Sequence, residues 1–186
     1  TGRLASSDPN LQNIPVRSEA GRGVRKAFVP RHGFTLLSCD YSQIELRVMA
    51  ALANDATMIE AFKNNADIHT ITAAKVFGVT NDAVTNDMRR TAKMVNFGIA
   101  YGMGDFGLAT RAGISREAAK TFIAGYFERY PGIKRYIDTI KEEARANGAV
   151  TTQLGRRRPI PELRAANPAL RAAGERAAIN HPIQGT

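Results

Sequence analysis

The sequence predicts a mainly helical α+β fold, in which a helical lobe is inserted into a lobe carrying a small antiparallel sheet. Three observations carry that expectation. Apolar residues at helical spacing fill the middle of the chain, strand-like runs lie near both ends, and no internal repeat or low-complexity stretch interrupts the pattern. Hydrophobic residues make up 44% of the 186, enough for a sizeable core and too many for a disordered tail.

Taken in order, residues 1–31 are rich in turns, with Ser6-Ser7-Asp8-Pro9-Asn10 as the clearest cluster. Cations recur through this stretch at Arg17, Arg22, Arg25, Lys26 and Arg31. The apolar run over residues 34–39 predicts a buried strand, closed by Asp40. Ser42 is placed to cap a helix over residues 43–52, with Ile44, Val48 and Met49 turned inward. Further helices are expected over residues 56–63 and 68–77, the second closed by Gly78. A long helix follows over residues 86–101, then a short one near 106–111. Ser115 opens the next, which stops before Pro131. One more covers residues 133–147 and ends at Gly148. Residues 150–154 and 158–160 read as a small hairpin around Gly155-Arg156. A last helix starts near Pro168 and runs toward His181, with Pro182 expected to kink it.

Charge narrows the function classes. Lysine and arginine number 26 against 17 acidic residues, a net charge of +9, which suggests a polyanionic partner such as nucleic acid. Cys39 is the only cysteine, so no internal disulfide can form. Its place after an apolar run suggests a small packed hydrophobe in a reducing, cytoplasmic setting. No apolar stretch reaches the ~20 residues of a membrane helix, and no signal peptide is visible. Both ends read as internal, so the chain is expected to be a piece of something larger.

The helix over residues 86–101 carries the most specific chemistry. Arg89, Lys93, Phe97 and Tyr101 are four apart and share one slowly drifting face. Two fixed cations suit phosphate oxygens, and two rings suit the faces of bases. A surface helix with two core aromatics has the same spacing. Gly98 and Gly102 argue for the special use, since each follows a ring where glycine costs roughly 1 kcal/mol relative to alanine. Asp40 likewise fits two roles. It can cap the next helix, or it can hold an oxygen-seeking cation such as magnesium, with the backbone carbonyl of Tyr41 as a second ligand.

The run Asp40-Tyr41-Ser42-Gln43-Ile44-Glu45-Leu46-Arg47, together with the striped helix, resembles the first two signature motifs of family A DNA polymerases. Thr1-Gly2-Arg3-Leu4, Asn10-Leu11-Gln12-Asn13-Ile14-Pro15, Asp67-Ile68-His69-Thr70, Gly155-Arg156-Arg157-Arg158 and Asn180-His181-Pro182-Ile183-Gln184-Gly185-Thr186 match in the same order. The resemblance covers essentially the whole chain. It implies that Asp40 and the Tyr41 carbonyl bind metal, one of two magnesium ions in the complete enzyme. It implies that Glu45 closes the pocket beneath the sugar and excludes a 2′-hydroxyl, the group that distinguishes RNA from DNA. Arg89, Lys93 and His69 would meet the triphosphate, with Gln43 and Tyr41 beside it, and Lys93 would protonate the leaving pyrophosphate. Read alone, His69 also fits a satisfied helical histidine. Phe97 would pack on the incoming nucleotide without offering a hydroxyl near its 3′ position. Tyr101 would guard the templating base, with Gly102 giving the chain room. Arg3 and Gln184 would touch the minor groove at the primer end, where purine N3 and pyrimidine O2 recur in every pair. Asn13, Arg158, Arg176 and Asn180 complete the implied DNA contacts, although runs of cations are also common on solvated faces.

The family's third motif, a His-Asp-Glu set, is missing: neither His32, His69 nor His181 precedes Asp-Glu. The second metal-binding aspartate is therefore expected outside these 186 residues, which alone should not polymerise DNA efficiently. The resemblance divides the chain into part of a palm over residues 1–52, fingers over 53–149, and more palm over 150–186. It implies a monomeric, cytoplasmic enzyme of replication and repair that extends a primer-template from deoxynucleoside triphosphates. A non-catalytic, basic nucleic-acid-binding module is the alternative; it explains the charge but gives no reason for Asp40 or Glu45. A family relative with another task, such as lesion bypass or phage replication, is a second.

Overall fold

The computed structural model describes residues 2–15 and 18–186. Arg17, one of the recurring cations, lies outside the described residues, as does Thr1. The described chain forms two compact units, Gly2–Ser42 and Gln43–Thr186.

In the first unit, a short 3-10 turn over Leu11–Asn13 is capped by the side chain of Asn10, which accepts from Gln12 N at 3.1 Å. Helix α1 spans Glu19–Arg25 and is capped by Ser18, whose hydroxyl accepts from Gly21 N at 3.1 Å. The sequence does not announce this helix, because two glycines and two arginines leave it no apolar stripe. The strand expected over residues 34–39 does not form. Phe34, Leu36 and Leu37 are exposed, and Cys39 is exposed rather than packed. A strand needs a neighbour to satisfy its backbone groups, and no described residue pairs with this run.

The second unit is built from helices α2 (Ile44–Leu52), α3 (Ala56–Lys63), α4 (Ile68–Phe77), α5 (Asn86–Ala100), α6 (Asp105–Ala112), α7 (Arg116–Arg129), α8 (Pro131–Asn147) and α9 (Pro168–Gly185). Strands β1 (Ala149–Thr151) and β2 (Arg157–Pro159) form an antiparallel pair, with Val150 opposite Arg158. The expected hairpin is thus present, with each strand starting one residue earlier than expected.

Local chemistry explains most helix starts. Asp55, Asp67, Thr85, Ser115 and Asn167 each accept a backbone N–H of the first turn through the side chain. Helices α6, α8 and α2 lack such a bond from the residue before them, and the entry to α2 departs from the expected one. Gln43, not Ser42, precedes it in a left-handed conformation at φ 54°, with no side-chain cap. Leu46, Met49 and Ala50 are buried, whereas Val48 is half-buried and Ile44, expected inward, is exposed. At the other end of the chain, α9 passes through Pro182 and continues to Gly185.

One core joins these helices, centred on Leu46, Met58, Ile68, Ile99, Ile133 and Ile179. Each such side chain contributes about 1.5–3 kcal/mol when removed from water. Buried Asp55 locks two helix starts together. Its Oδ1 accepts Met58 N at 2.9 Å in α3, and its Oδ2 accepts Gly132 N at 2.8 Å in α8. Both positive helix ends therefore share one carboxylate. Glycine is required at 132, since an added Cβ would lie 2.9 Å from Ala53 O and from Asp55 Cα.

Candidate functional site

Helix α5 buries Ala92, Val95, Asn96 and Ile99 on one side. An adjoining side carries the four residues singled out from the sequence. Lys93 is exposed, while Arg89, Phe97 and Tyr101 are half-buried. The rings of Phe97 and Tyr101 stack with centroids 6.0 Å apart and planes 25° apart, and Phe97 lies 5.7 Å from the ring of His69 on α4. The striped face is therefore a partly exposed edge of the unit, with Phe97 and Tyr101 packed against the core and Lys93 in solvent.

The end of α5 is shaped by its backbone. Met103 N donates to Gly98 O at 2.7 Å, and Gly102 N donates to Ile99 O at 3.0 Å. This paired closure needs a left-handed residue at the second place past the helix. Gly102 supplies it at φ 78°, and an added Cβ would stand 3.0 Å from Ile179 Cδ1. The turn brings α5 beside α9. A cavity of about 580 Å³ results, lined by Phe97, Tyr101, Gly102, Arg111, Arg176 and Asn180 among others. Asn180 Oδ1 is itself buried and finds no hydrogen-bond partner among the described residues; the cavity wall offers two rings and two cations.

Two hydrogen bonds join the face to other elements. The Tyr101 hydroxyl donates to Glu45 Oε2 on α2. Arg89 Nε donates to Asp67 Oδ2 at 2.5 Å. Burial pushes the Asp67 carboxyl upward, but bonds from Arg89 and Thr70, the Arg89 charge and the His69 N–H together hold it below the ordinary carboxylate range. His69 is fully buried, and burial lowers its pKa from 6.5 to about 4. The charge of Asp67 opposes that shift, and those of Arg89 and Lys93 add to it, so all three charged groups act on this ring. At neutral pH the imidazole is uncharged.

The remaining expected residues are placed as follows. Arg3, Asn13, Asp40 and Tyr41 are exposed in the first unit. In the second, Gln43 precedes α2 with its Oε1 buried and without a partner among the described residues. Arg158 lies on β2, and Arg176 and Gln184 lie on α9. His181 is buried and its Nε2 donates to Arg156 O at 3.4 Å, which joins α9 to the hairpin turn. Among the described residues no group of three or more His, Cys, Asp or Glu is arranged to hold a metal ion. Asp40 and the Tyr41 carbonyl provide hard oxygen donors of the type magnesium takes, but fewer than a complete site needs.

Sequence reasoning missed Asp67 and Asn96 as individual functional groups. Asn96 had a visible signal, since it is the one polar residue on the apolar side of α5. Asp67 had none beyond its place before a helix, because the link to Arg89 spans 22 residues.

A model of DNA polymerase family A matches residues 1–186. The chain belongs to this family. It is 58% identical over 188 aligned positions to DNA polymerase I of Lactococcus lactis subsp. lactis, covering all of this chain and 21% of that protein. It is 52% identical to DNA polymerase I of Pseudomonas aeruginosa, covering all of this chain and 20% of that one. The chain thus spans about a fifth of the length of the curated relatives it matches. Among solved structures it resembles the POL domain of Pol1 from M. smegmatis, solved in complex with DNA primer-template and dNTP. The TM-score is 0.88 and the identity 49%, over 99% of this chain and 33% of that one. The mainly helical fold with a small antiparallel sheet is in keeping with that likeness.

Proposed function

We propose that this chain is the fingers and part of the palm of a DNA-templated DNA polymerase. The reaction is attack of a primer 3′-hydroxyl on the α-phosphate of a deoxynucleoside triphosphate. One observation carries the reading: a single helix face holds two cations toward one end and two stacked rings toward the other, with the second ring bonded to Glu45. That face suits a nucleotide lying along α5, phosphates at Arg89 and Lys93, base at Phe97 and Tyr101. The Pol1 relative in complex with primer-template and dNTP supports the same partners.

In this reading residues 53–149 form the fingers, and 1–52 and 150–186 belong to the palm. Arg89 leaves Asp67 to meet the triphosphate. Lys93 holds a proton at Nζ that can pass to the departing pyrophosphate. Glu45 fills the space beneath the sugar and rejects a 2′-hydroxyl. Tyr101, held by Glu45, occupies the place of the templating base until the nucleotide arrives. Arg3, Asn13, Arg158, Arg176, Asn180 and Gln184 contact the duplex. Asp40 and the Tyr41 carbonyl hold one of two magnesium ions, which, when bound, supply the Lewis acid that activates the attacking hydroxyl. The described residues supply fewer carboxylates than two metal ions need, and the chain spans about a fifth of its curated relatives' length, so polymerisation is assigned to the complete protein. Among the described residues no helix is long and apolar enough to cross a membrane; the complete protein works as a cytoplasmic monomer in replication and repair.

The deciding experiment is Asp40→Ala in the complete protein. Incorporation should be lost while primer-template affinity stays near the parent's. Near-normal turnover removes the metal role and, with it, the catalytic reading.

A further inference from the structure

Helix α5 carries one polar side chain among buried apolar ones. Asn96 is fully buried beside Val95 and Ile99, so its amide must find its partners inside the protein. Thr72 Oγ1, on α4, donates to Asn96 Oδ1 at 2.9 Å. Asn96 Nδ2 lies 3.4 Å from the carbonyl oxygen of Ile68 and 3.1 Å from Nδ1 of His69. A carbonyl oxygen can only accept, so the side of the amide facing Ile68 is the NH2 group. The same NH2 group faces His69 Nδ1. Nδ1 must then be the acceptor, and the proton of the neutral ring sits on Nε2.

We propose that Asn96, held in place by Thr72, is a positioning residue that locks His69 in its neutral Nε2–H tautomer, so that His69 meets the triphosphate as one fixed hydrogen-bond donor and not as a third cation. The tautomer follows from the α4–α5 contact alone. Its use on a triphosphate rests on the function proposed above.

The chemistry is consistent from each side of the ring. An imidazolium would bring an N–H at Nδ1 against the N–H of Asn96, with no acceptor between them. Burial, with the nearby charges of Arg89 and Lys93 and against that of Asp67, keeps the ring neutral. Arg89 and Lys93 already supply positive charge to this face. A neutral donor adds a directed bond without repelling them, and its protonation does not drift across the physiological range.

The test uses the complete protein labelled with 15N-histidine, with the His69 signals assigned by their loss in His69→Gln. In the unaltered protein the NMR shifts should report an unprotonated Nδ1 and a protonated Nε2, unchanged from about pH 8 to about pH 5.5. A proton on Nδ1, or an imidazolium at neutral pH, overturns the proposal without any variant. Asn96→Asp places an acceptor against Nδ1. The proton should move to Nδ1, the pKa should rise by about one unit or more, and dNTP affinity should become pH-dependent over the same range. An unchanged tautomer and a flat affinity profile in that variant overturn the positioning role. Thr72→Val supplies a second, milder variant, in which the loosened amide should give mixed tautomers; a single Nε2–H form there overturns the part assigned to Thr72. If His69→Gln binds dNTP as tightly as the parent, the triphosphate role falls while the measured tautomer stands, so the two failures are distinguishable.

Discussion

Replacing Asp67 with asparagine tests whether its ion pair restrains the face proposed to bind phosphate. Arg89 Nε and Asp67 Oδ2 are 2.5 Å apart, with side chains 41% and 33% exposed. The other carboxylate oxygen, Oδ1, accepts His69 N at 3.0 Å and caps α4. The asparagine side chain would keep an oxygen for that cap and lose the charge. Two unit charges about 4 Å apart attract by about 4 kcal/mol at an effective dielectric near 20. Desolvation and screening offset most of this in a pair so exposed, leaving about 0.2–1 kcal/mol. If the pair competes with triphosphate for Arg89, removing it should tighten dNTP binding by up to about fivefold. The assay is the apparent dNTP Kd from single-turnover incorporation by the complete protein. The pH dependence has a definite sign. The Asp67 carboxyl titrates below its ordinary value, so the ion pair is present above about pH 4 and is lost as pH falls through the lower folded value. The difference between parent and Asp67→Asn should therefore hold steady across neutral pH. Weaker dNTP binding in the variant, or no difference at all, refutes the restraint.

Three further outcomes are expected. Glu45→Ala removes the acceptor of the Tyr101 hydroxyl and the sugar gate proposed for Glu45, so ribonucleotide incorporation should rise relative to deoxynucleotide; an unchanged preference in competition assays rules out the gate. Lys93→Ala should weaken triphosphate capture and slow the chemical step by about 10–100-fold, and unaltered single-turnover kinetics would contradict its assignment. Gly102→Ala forces a side chain into the left-handed conformation at φ 78° and against Ile179. It should lower stability by about 1–2 kcal/mol, read by urea unfolding, and an unchanged midpoint would show that this helix end tolerates a Cβ.

The helices of the second unit are legible because helix signals are local. Asp55, Asp67, Thr85, Ser115 and Asn167 act on N–H groups two or three residues away. Gly78 and Gly148 close helices by a conformation they adopt without cost. The failures are of another kind. The run at residues 34–39 has the composition of a strand, but a strand exists only as half of a pair. Ile44 shares an apolar spacing with Val48, but the tertiary packing buries Leu46, Met49 and Ala50 and leaves Ile44 exposed. Helix α1 has a good cap in Ser18 but no apolar period to announce it. Asp55 reads as a simple helix cap, and its second bond, to Gly132, is 77 residues away.

The order of motifs and the four-residue spacing on α5 were decided by the sequence alone. They fixed the family and the face on which two cations meet two rings, since a helix places residues four apart together whatever surrounds it. The tertiary structure alone decided the partners. Arg89 reaches Asp67, Asn96 reaches His69, and Tyr101 reaches Glu45 across 22, 27 and 56 residues. Nothing local dictates such pairs. They form because packing α2, α4 and α5 around one apolar core brings the partners together; it excludes water from Asn96 and His69, while Arg89 and Asp67 stay partly exposed.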